Sequence, residues 1–405
     1  MTQNANLIPR VIGLDAHPDT FTAALLRGHT PAQAITEKVF NQVPLTQLPS
    51  WTQKHTTAGD LFVLEASGNS FQIVRTLAAL GRRALVLESC QLGKLKEAHA
   101  NNDKLSAIRI GKAWLAGTAK AVWVPDAKTQ ERRDWFHAHK KAVKRATQIR
   151  NRLLSYLSDN GVRLKKGTTL AKGKAAETQL RKTRAWSPRQ WQVIEGALME
   201  LRHADEQRAH WRSLIAQEVL ADPQLLEIVR LCGVREMVAF ALAALIGDIH
   251  RFADPKKLVK YIGLNPAFDH SGEGQWSGGI AGHGRKDLRC LLIESAHAIL
   301  RSKHPLAQWG RRLFRRKGTI NLVAGAVARK LAVAVWYLMM GRWTPLEEID
   351  QRLALKVTKM IGSVGPKALK QLGKTRKAFR EEVYHALKTG RAYLLDPNKQ
   401  FVPPV

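Results

Sequence analysis

The stretch VIGLDAH, from Val11 to His17, decides how the first part of the chain reads. Val11, Ile12, Gly13 and Leu14 form a short apolar run without alternation, as a strand covered on both faces does, and Asp15 stands at its end. Two runs of the same kind follow, Phe62-Val63-Leu64 and Ala84-Leu85-Val86-Leu87. Between them, Phe71 to Leu80 sets Ile73, Val74, Leu77 and Leu80 on one helical face and stops at Gly81. Strands alternating with helices predict an α/β domain over residues 1–127.

Glu65 follows its apolar run as Asp15 follows the first. Asp103, after Asn101 and Asn102, opens a helix containing Ile108, Ile110 and Leu115. Acids from three separated segments can converge on one point of an α/β sheet, where hard oxygen ligands suit magnesium. Taken singly, each acid also has the ordinary use of capping a helix or complementing its dipole.

From Ala127 the pattern changes to a long charged helix ending near Asn160, a Gly/Lys-rich interval, and a second helix from about Pro188 to Leu220. The pair predicts an antiparallel coiled-coil arm over residues 128–220. Lys140, Lys141, Lys144 and Arg145 lie on the first helix, and Lys165 and Lys166 in the interval, with Glu177 the one acid between Lys165 and Arg184. So one-sided a run repels itself without a counter-polyanion. The whole chain agrees: 65 Lys and Arg against 33 Asp and Glu give a net charge of +32, which points to nucleic acid.

A membrane is the competing polyanion. The most apolar stretch, Ile320 to Met340, carries Arg329 and Lys330 at its centre, and the first ten residues hold no signal-peptide apolar region. A cytoplasmic protein without a membrane partner is expected. Cys90, Cys232 and Cys290 show no zinc-ligand spacing and are expected as buried reduced thiols.

Residues 221–345 read as a compact, mainly helical domain, and 346–405 as a helical extension. Val229 to Ile249 is similar to a helix-hairpin-helix with Arg235 in place of its second glycine, and a plain helical hairpin is equally open. Further on, Leu288, Leu291, Leu292, Ser295, Ala296 and Ile299 share a helical face behind Gly282, Gly284, Arg285 and Lys286. A helix start with glycines and cations suits a phosphate. The glycine-rich loop upstream holds two hydroxyls, Ser271 and Ser277.

In this order and spacing, GLDAH at Gly13 to His17, LEASG at Leu64 to Gly68, NNDKLSA at Asn101 to Ala107, AVWVPD at Ala121 to Asp126 and IGDIHRFADPKKLVKYIGLNP at Ile246 to Pro266 resemble the insertion-sequence-110 family of DEDD transposases. The resemblance covers the chain from about residue 11 to 343. It implies an RNase H/RuvC-like N-terminal domain in which Asp15, Glu65 and Asp103 bind Mg2+ or Mn2+. The family's fourth acid falls at Ser106, whose hydroxyl can hold a metal through water but brings no charge, so either metal affinity falls or another group such as Glu97 or His99 helps.

The resemblance also implies a C-terminal transposase domain with a serine nucleophile, matched by Ser271. Metal and serine domains of different subunits would form a composite site, hence a homo-oligomer, dimer or tetramer. A structured bridge RNA would pair with donor and target DNA. The implied protein is a bacterial, nucleoid-associated transposase or site-specific recombinase. A RuvC-like junction nuclease, which needs the acids but no covalent serine, and a non-catalytic basic nucleic-acid-binding protein stay open as alternatives.

Overall fold

The computed structural model describes residues 10–89, 92, 102–164, 170, 174–271, 274–280, 282–342 and 350–394. The chain forms two units, Met1–Asp126 and Ala127–Val405.

The first unit is built on strands β1 (Arg10–Ala16), β2 (Thr20–Arg27), β3 (Ile35–Pro44), β4 (Leu61–Glu65), β5 (Arg83–Leu87) and β6 (Ala121–Val122), in the spatial order β3-β2-β1-β4-β5-β6. β1 is central, antiparallel to β2 and parallel to β4. That position explains its unbroken apolar run, since both faces are covered. Helices α1 (Leu48–His55), α2 (Ser70–Ala79) and α3 (Asp103–Leu115) provide the cover. Ile12, Leu14, Phe62 and Leu64 pack with Leu48, Trp51, Ile73 and Leu77 in one core. Val11 and Val63 pack with Ile110 and Ala113 of α3 in another. The two-residue strand period gives Asp15 the parity of Val11 and Glu65 the parity of Val63, so both acids belong to the α3 face.

α3 lies unusually close to β1. A Cβ on Gly13 would stand 2.0 Å from the carbonyl oxygen of Ala107, and one on Gly111 would stand 2.2 Å from Leu26 Cδ1. Glycine at position 13 is therefore what permits the approach to β1, and glycine at 111 leaves room for the Leu26 side chain of β2.

In the second unit, α4 (Ala127–Asp159) and α6 (Pro188–Ala221) run side by side, with α5 (Lys174–Arg181) between them in sequence. Their cross-links are Arg152 to Glu200 at 2.6 Å, Asn160 to Gln190 at 2.9 Å and Arg132 to Glu218 at 2.7 Å. One number rises as the other falls, so the pair is antiparallel. Ala146, Ile149, Leu153 and Leu157 bury against Trp191, Ile194, Leu198 and Leu201. α6 starts sharply because Ser187 and Gln190 form a reciprocal cap and Pro188 occupies its first position.

The remainder comprises α7 (Pro223–Val229), α8 (Glu236–Ile246), α9 (Pro255–Ile262), the hairpin β7 (Pro266–Ser271) and β8 (Gly274–Ile280), α10 (Lys286–Leu300), α11 (Pro305–Lys317), α12 (Ile320–Met339), α13 (Asp350–Val364), α14 (Pro366–Gln371) and α15 (Arg376–Leu394). One large core joins the helices. α8, part of the segment similar to a helix-hairpin-helix, is a core helix with Phe240, Ala241, Leu242, Ala244 and Leu245 fully buried. Among the described residues, α12 is long and apolar enough to cross a membrane, but here it is mostly buried, and Trp336 Nε1 donates to the Phe252 carbonyl at 2.9 Å. Cys232 is buried, whereas Cys290 is exposed, contrary to the sequence expectation. The reason is helical phase: Cys290 falls opposite the buried stripe of Leu288, Leu292 and Ser295. Cys90 lies outside the described residues.

Candidate metal centre and nucleic-acid surfaces

Asp15 emerges at the end of β1, and Asp103 is the first residue of α3, whose start is capped by the Asn102 side chain accepting the Leu105 N–H at 2.9 Å. Because Gly13 lets α3 sit on β1, the helix turn before Ala107 brings Asp103 above the strand end. His17 completes the group: its Nε2 is 3.5 Å from Asp103 Oδ1 and 3.9 Å from Asp15 Oδ2. One ligand atom from each of the three lies within 4.8 Å of the others.

His17 was visible in the sequence but was not among the residues expected at this site. Its two-residue offset from Asp15 is a usable signal, since alternate residues at a strand end share a face. The turn after β1 fixes it, with its N–H donating to Thr20 O at 2.9 Å and its carbonyl accepting Asn69 Nδ2 at 2.8 Å.

Glu65 stands beside this group rather than in it. Leu14 pairs with Leu64 in the parallel register, so Glu65 and Asp15 are the next residues along adjacent strands and share the α3 face. Ser106 lies three residues after Asp103 on α3 and is half-buried. Glu97 and His99, considered as helpers, lie outside the described residues. Two carboxylates and an imidazole from two segments, the end of β1 and the start of α3, are a fitting donor set for a divalent cation. The oxygens suit magnesium, and the nitrogen makes manganese at least as suitable.

Ser271 ends β7 and pairs with Gly274, so it stands in a hairpin strand and not in an irregular loop as read from its glycines. Ser277 lies on β8 opposite Phe268. Glycines on either side of the hairpin serve a crossing of backbones: a Cβ on Gly263 would meet His283 O at 1.7 Å, and one on Gly284 would meet Tyr261 O at 2.5 Å. Arg285 N donates to Tyr261 O at 2.8 Å at the same crossing. The Arg285 guanidinium is 3.0 Å from Asp287. Burial pulls the Asp287 carboxyl up, but the Arg285 hydrogen bond and charge outweigh it and hold the group below its ordinary range. The cationic character expected at the start of α10 is thus halved, and Lys286, which is exposed, carries what remains.

On α4, Lys140, Lys141, Lys144 and Arg145 are all exposed, away from the seam formed by Ala142, Ala146 and Ile149. Lys165 and Lys166 lie outside the described residues. Toward the other end of the helix pair, Arg181 stacks 3.6 Å from the ring centroid of the buried Trp191. Arg235 is committed to a protein partner, Glu236, at 3.3 Å, and Glu236 also accepts from Arg212 at 2.9 Å. At the α4–α6 pair, burial and then the charges of Arg208 and Arg212 push the His139 imidazole down to about 4.

Known proteins resemble the chain. A family model described as the transposase IS116/IS110/IS902 family matches residues 227–309. The chain is 24% identical over 286 residues to the transposase for insertion sequence element IS1111A of Coxiella burnetii, spanning 70% of this chain and 78% of that protein. It is 26% identical over 289 residues to a Pseudomonas aeruginosa protein named "Probable family 20 transposase", spanning 69% of this chain and 83% of the relative.

Proposed function

The chain belongs to the IS116/IS110/IS902 family of transposases, and on that premise we propose that it cuts and rejoins DNA with a divalent metal and a serine nucleophile. The observation that carries this reading is the meeting of Asp15, His17 and Asp103 at the edge of the central strand, with Glu65 on the next strand of the same face. Strand order β3-β2-β1-β4-β5, with β2 alone antiparallel to both its neighbours, supports an RNase H/RuvC-like domain. The antiparallel α4–α6 pair supports a coiled-coil arm.

Asp15 and Asp103 would hold Mg2+ or Mn2+, with Glu65 and His17 as the next donors and Ser106 contributing at most through water. When bound, the ion supplies positive charge to neutralise a phosphodiester and its developing negative charge. The carboxylates would fix that charge at one point, at the end of the central strand. In the serine step, Ser271 Oγ attacks phosphorus, the Oγ–P bond forms as the bond to the departing strand breaks, the Oγ proton passes to a base, and the departing oxygen takes up a proton. No oxidation occurs, and the protein–DNA phosphodiester conserves the energy needed for rejoining.

Lys140, Lys141, Lys144 and Arg145, with Lys165, Lys166 and Lys286, would neutralise nucleic-acid backbone. A bridge RNA supplying sequence recognition, a dimeric or tetrameric assembly and a nucleoid location complete the proposal, on the strength of the family resemblance. The test is strand cleavage of DNA carrying the element's ends, with magnesium and any co-purifying RNA. Asp15→Ala and Asp103→Ala should abolish cleavage while leaving DNA binding intact, and full cleavage by Asp15→Ala would overturn the metal assignment.

A further inference from the structure

Helix α11 carries a surface that the sites above leave unused. Its inner side is set by Leu306, Ala307 and Gly310, all buried, and a Cβ on residue 310 would come 2.4 Å from Leu300 Cδ2. The outer side presents Arg311, Arg312, Arg315, Arg316 and Lys317, all exposed. No aspartate or glutamate occurs from Ser295 to Leu346. Arg311 is anchored by the carbonyls of Leu300 and Ser302, at 3.2 and 3.1 Å. Among the described residues, no ion pair takes up Arg312, Arg315, Arg316 or Lys317.

Phe314 sits among these cations and is 42% exposed. With Gln308, Arg311, Arg312 and Arg315 it lines an open groove of 560 Å³. Cations in the last turn of a helix favour its dipole, which accounts for Arg315, Arg316 and Lys317. It does not account for Arg312 one turn earlier, nor for a phenyl ring left in water.

A ring flanked by guanidinium groups is suited to a base stacked on its face with neighbouring phosphates neutralised. Duplex DNA hides the faces of its bases within the stack, and wedging a ring between them costs unstacking energy, so such a ring fits an unpaired strand better than a duplex. A second copy of this chain is a poor occupant, because each copy carries a net charge of +32 and the patch offers no acid to pair. We propose that the Gln308–Lys317 face of α11 binds single-stranded DNA, with Phe314 stacking on a base and Arg312 and Arg315 holding the adjoining phosphates. The proposal rests on the reading of the chain as a DNA transposase, whose strand cleavage and exchange supply unpaired strands.

The experiment is fluorescence anisotropy of the full chain with labelled oligothymidine, oligouridine and duplex DNA of one length, over a salt series. Phe314→Ala should weaken oligothymidine binding about tenfold and leave the duplex unchanged, while Phe314→Tyr keeps the affinity. Arg312→Gln with Arg315→Gln should lower the salt slope on oligothymidine by about 0.7 for each phosphate that is no longer neutralised. These side chains are exposed, so an unchanged melting temperature in each variant establishes that the fold is retained. Equal losses on single strand and duplex, or no loss on either, overturn the proposal, and a loss confined to oligouridine overturns the choice of DNA. In those cases wild-type duplex binding leaves the transposase reading standing. A wild-type chain that binds no DNA at all overturns that reading as well.

Discussion

The Gly13 backbone lies directly against the Ala107 carbonyl, so close that a Cβ on residue 13 would stand 2.0 Å from that oxygen. This packing seats α3 on β1 and thereby brings Asp103, one helical turn before Ala107, over Asp15. Gly13→Ala should therefore push the helix away, destabilising the first unit by about 1–3 kcal/mol and weakening Mn2+ binding measured by calorimetry. Gly68→Ala is the control, because a Cβ there has nothing within 4 Å. Equal effects of the two substitutions would mean that the close packing does not set the site.

Ser106 lies three residues after Asp103 on α3 and carries no charge. Ser106→Asp should lower the magnesium concentration needed for half-maximal cleavage and tighten Mn2+ binding by calorimetry. An unchanged requirement would show that His17 or another group already completes the donor set. His17→Ala in the same titration separates those two cases.

His139 gives a pH dependence with a defined sign. Its folded value of about 4 lies below the ordinary value near 6.5, so the unfolded chain binds the extra proton between those limits. The contribution of the neutral imidazole is fully present above about pH 6.5 and is lost as pH falls toward 4, by at most about 3 kcal/mol. Urea unfolding across this range should show the loss, and His139→Gln should flatten it. A wild-type profile no steeper than that of the variant would contradict the assignment.

The exposed cations of α4 should act on nucleic acid without reading its sequence. Replacing Lys140, Lys141, Lys144 and Arg145 with glutamine should reduce the salt slope of duplex binding by about 0.9 for each phosphate that is no longer neutralised. The reduction should be the same on any duplex sequence. A fall in affinity with an unchanged slope would make this face structural.

Much of the fold could be read because its elements are locally encoded. The runs at Val11, Phe62 and Ala84 are strands since each is covered on both faces, and α6 begins where Ser187, Pro188 and Gln190 together specify a helix start. The β1–β2 hairpin and the polar edge strand β3 were harder, because β3 lacks a buried face and its identity comes from pairing with β2. At the site, Asp15 and Asp103 were legible as strand-end and helix-start acids. The two-residue offset of His17 from Asp15 is a local signal, but its nearness to Asp103 is tertiary, made by the packing of α3. The Arg285–Asp287 pair and the strand carrying Ser271 were missed for a related reason, since glycines and cations in a row read as a phosphate loop until their backbone partners are known.

The most direct measurement uses a DNA suicide substrate, end-labelled and incubated with the chain, magnesium and any required RNA, then resolved under denaturing conditions. The account predicts a covalent protein–DNA species that needs magnesium, disappears in Asp15→Ala and Ser271→Ala, persists in Ser277→Ala and maps by peptide mass to Ser271. Cleavage by the wild-type chain with no such species, or a species that survives Ser271→Ala, would contradict it.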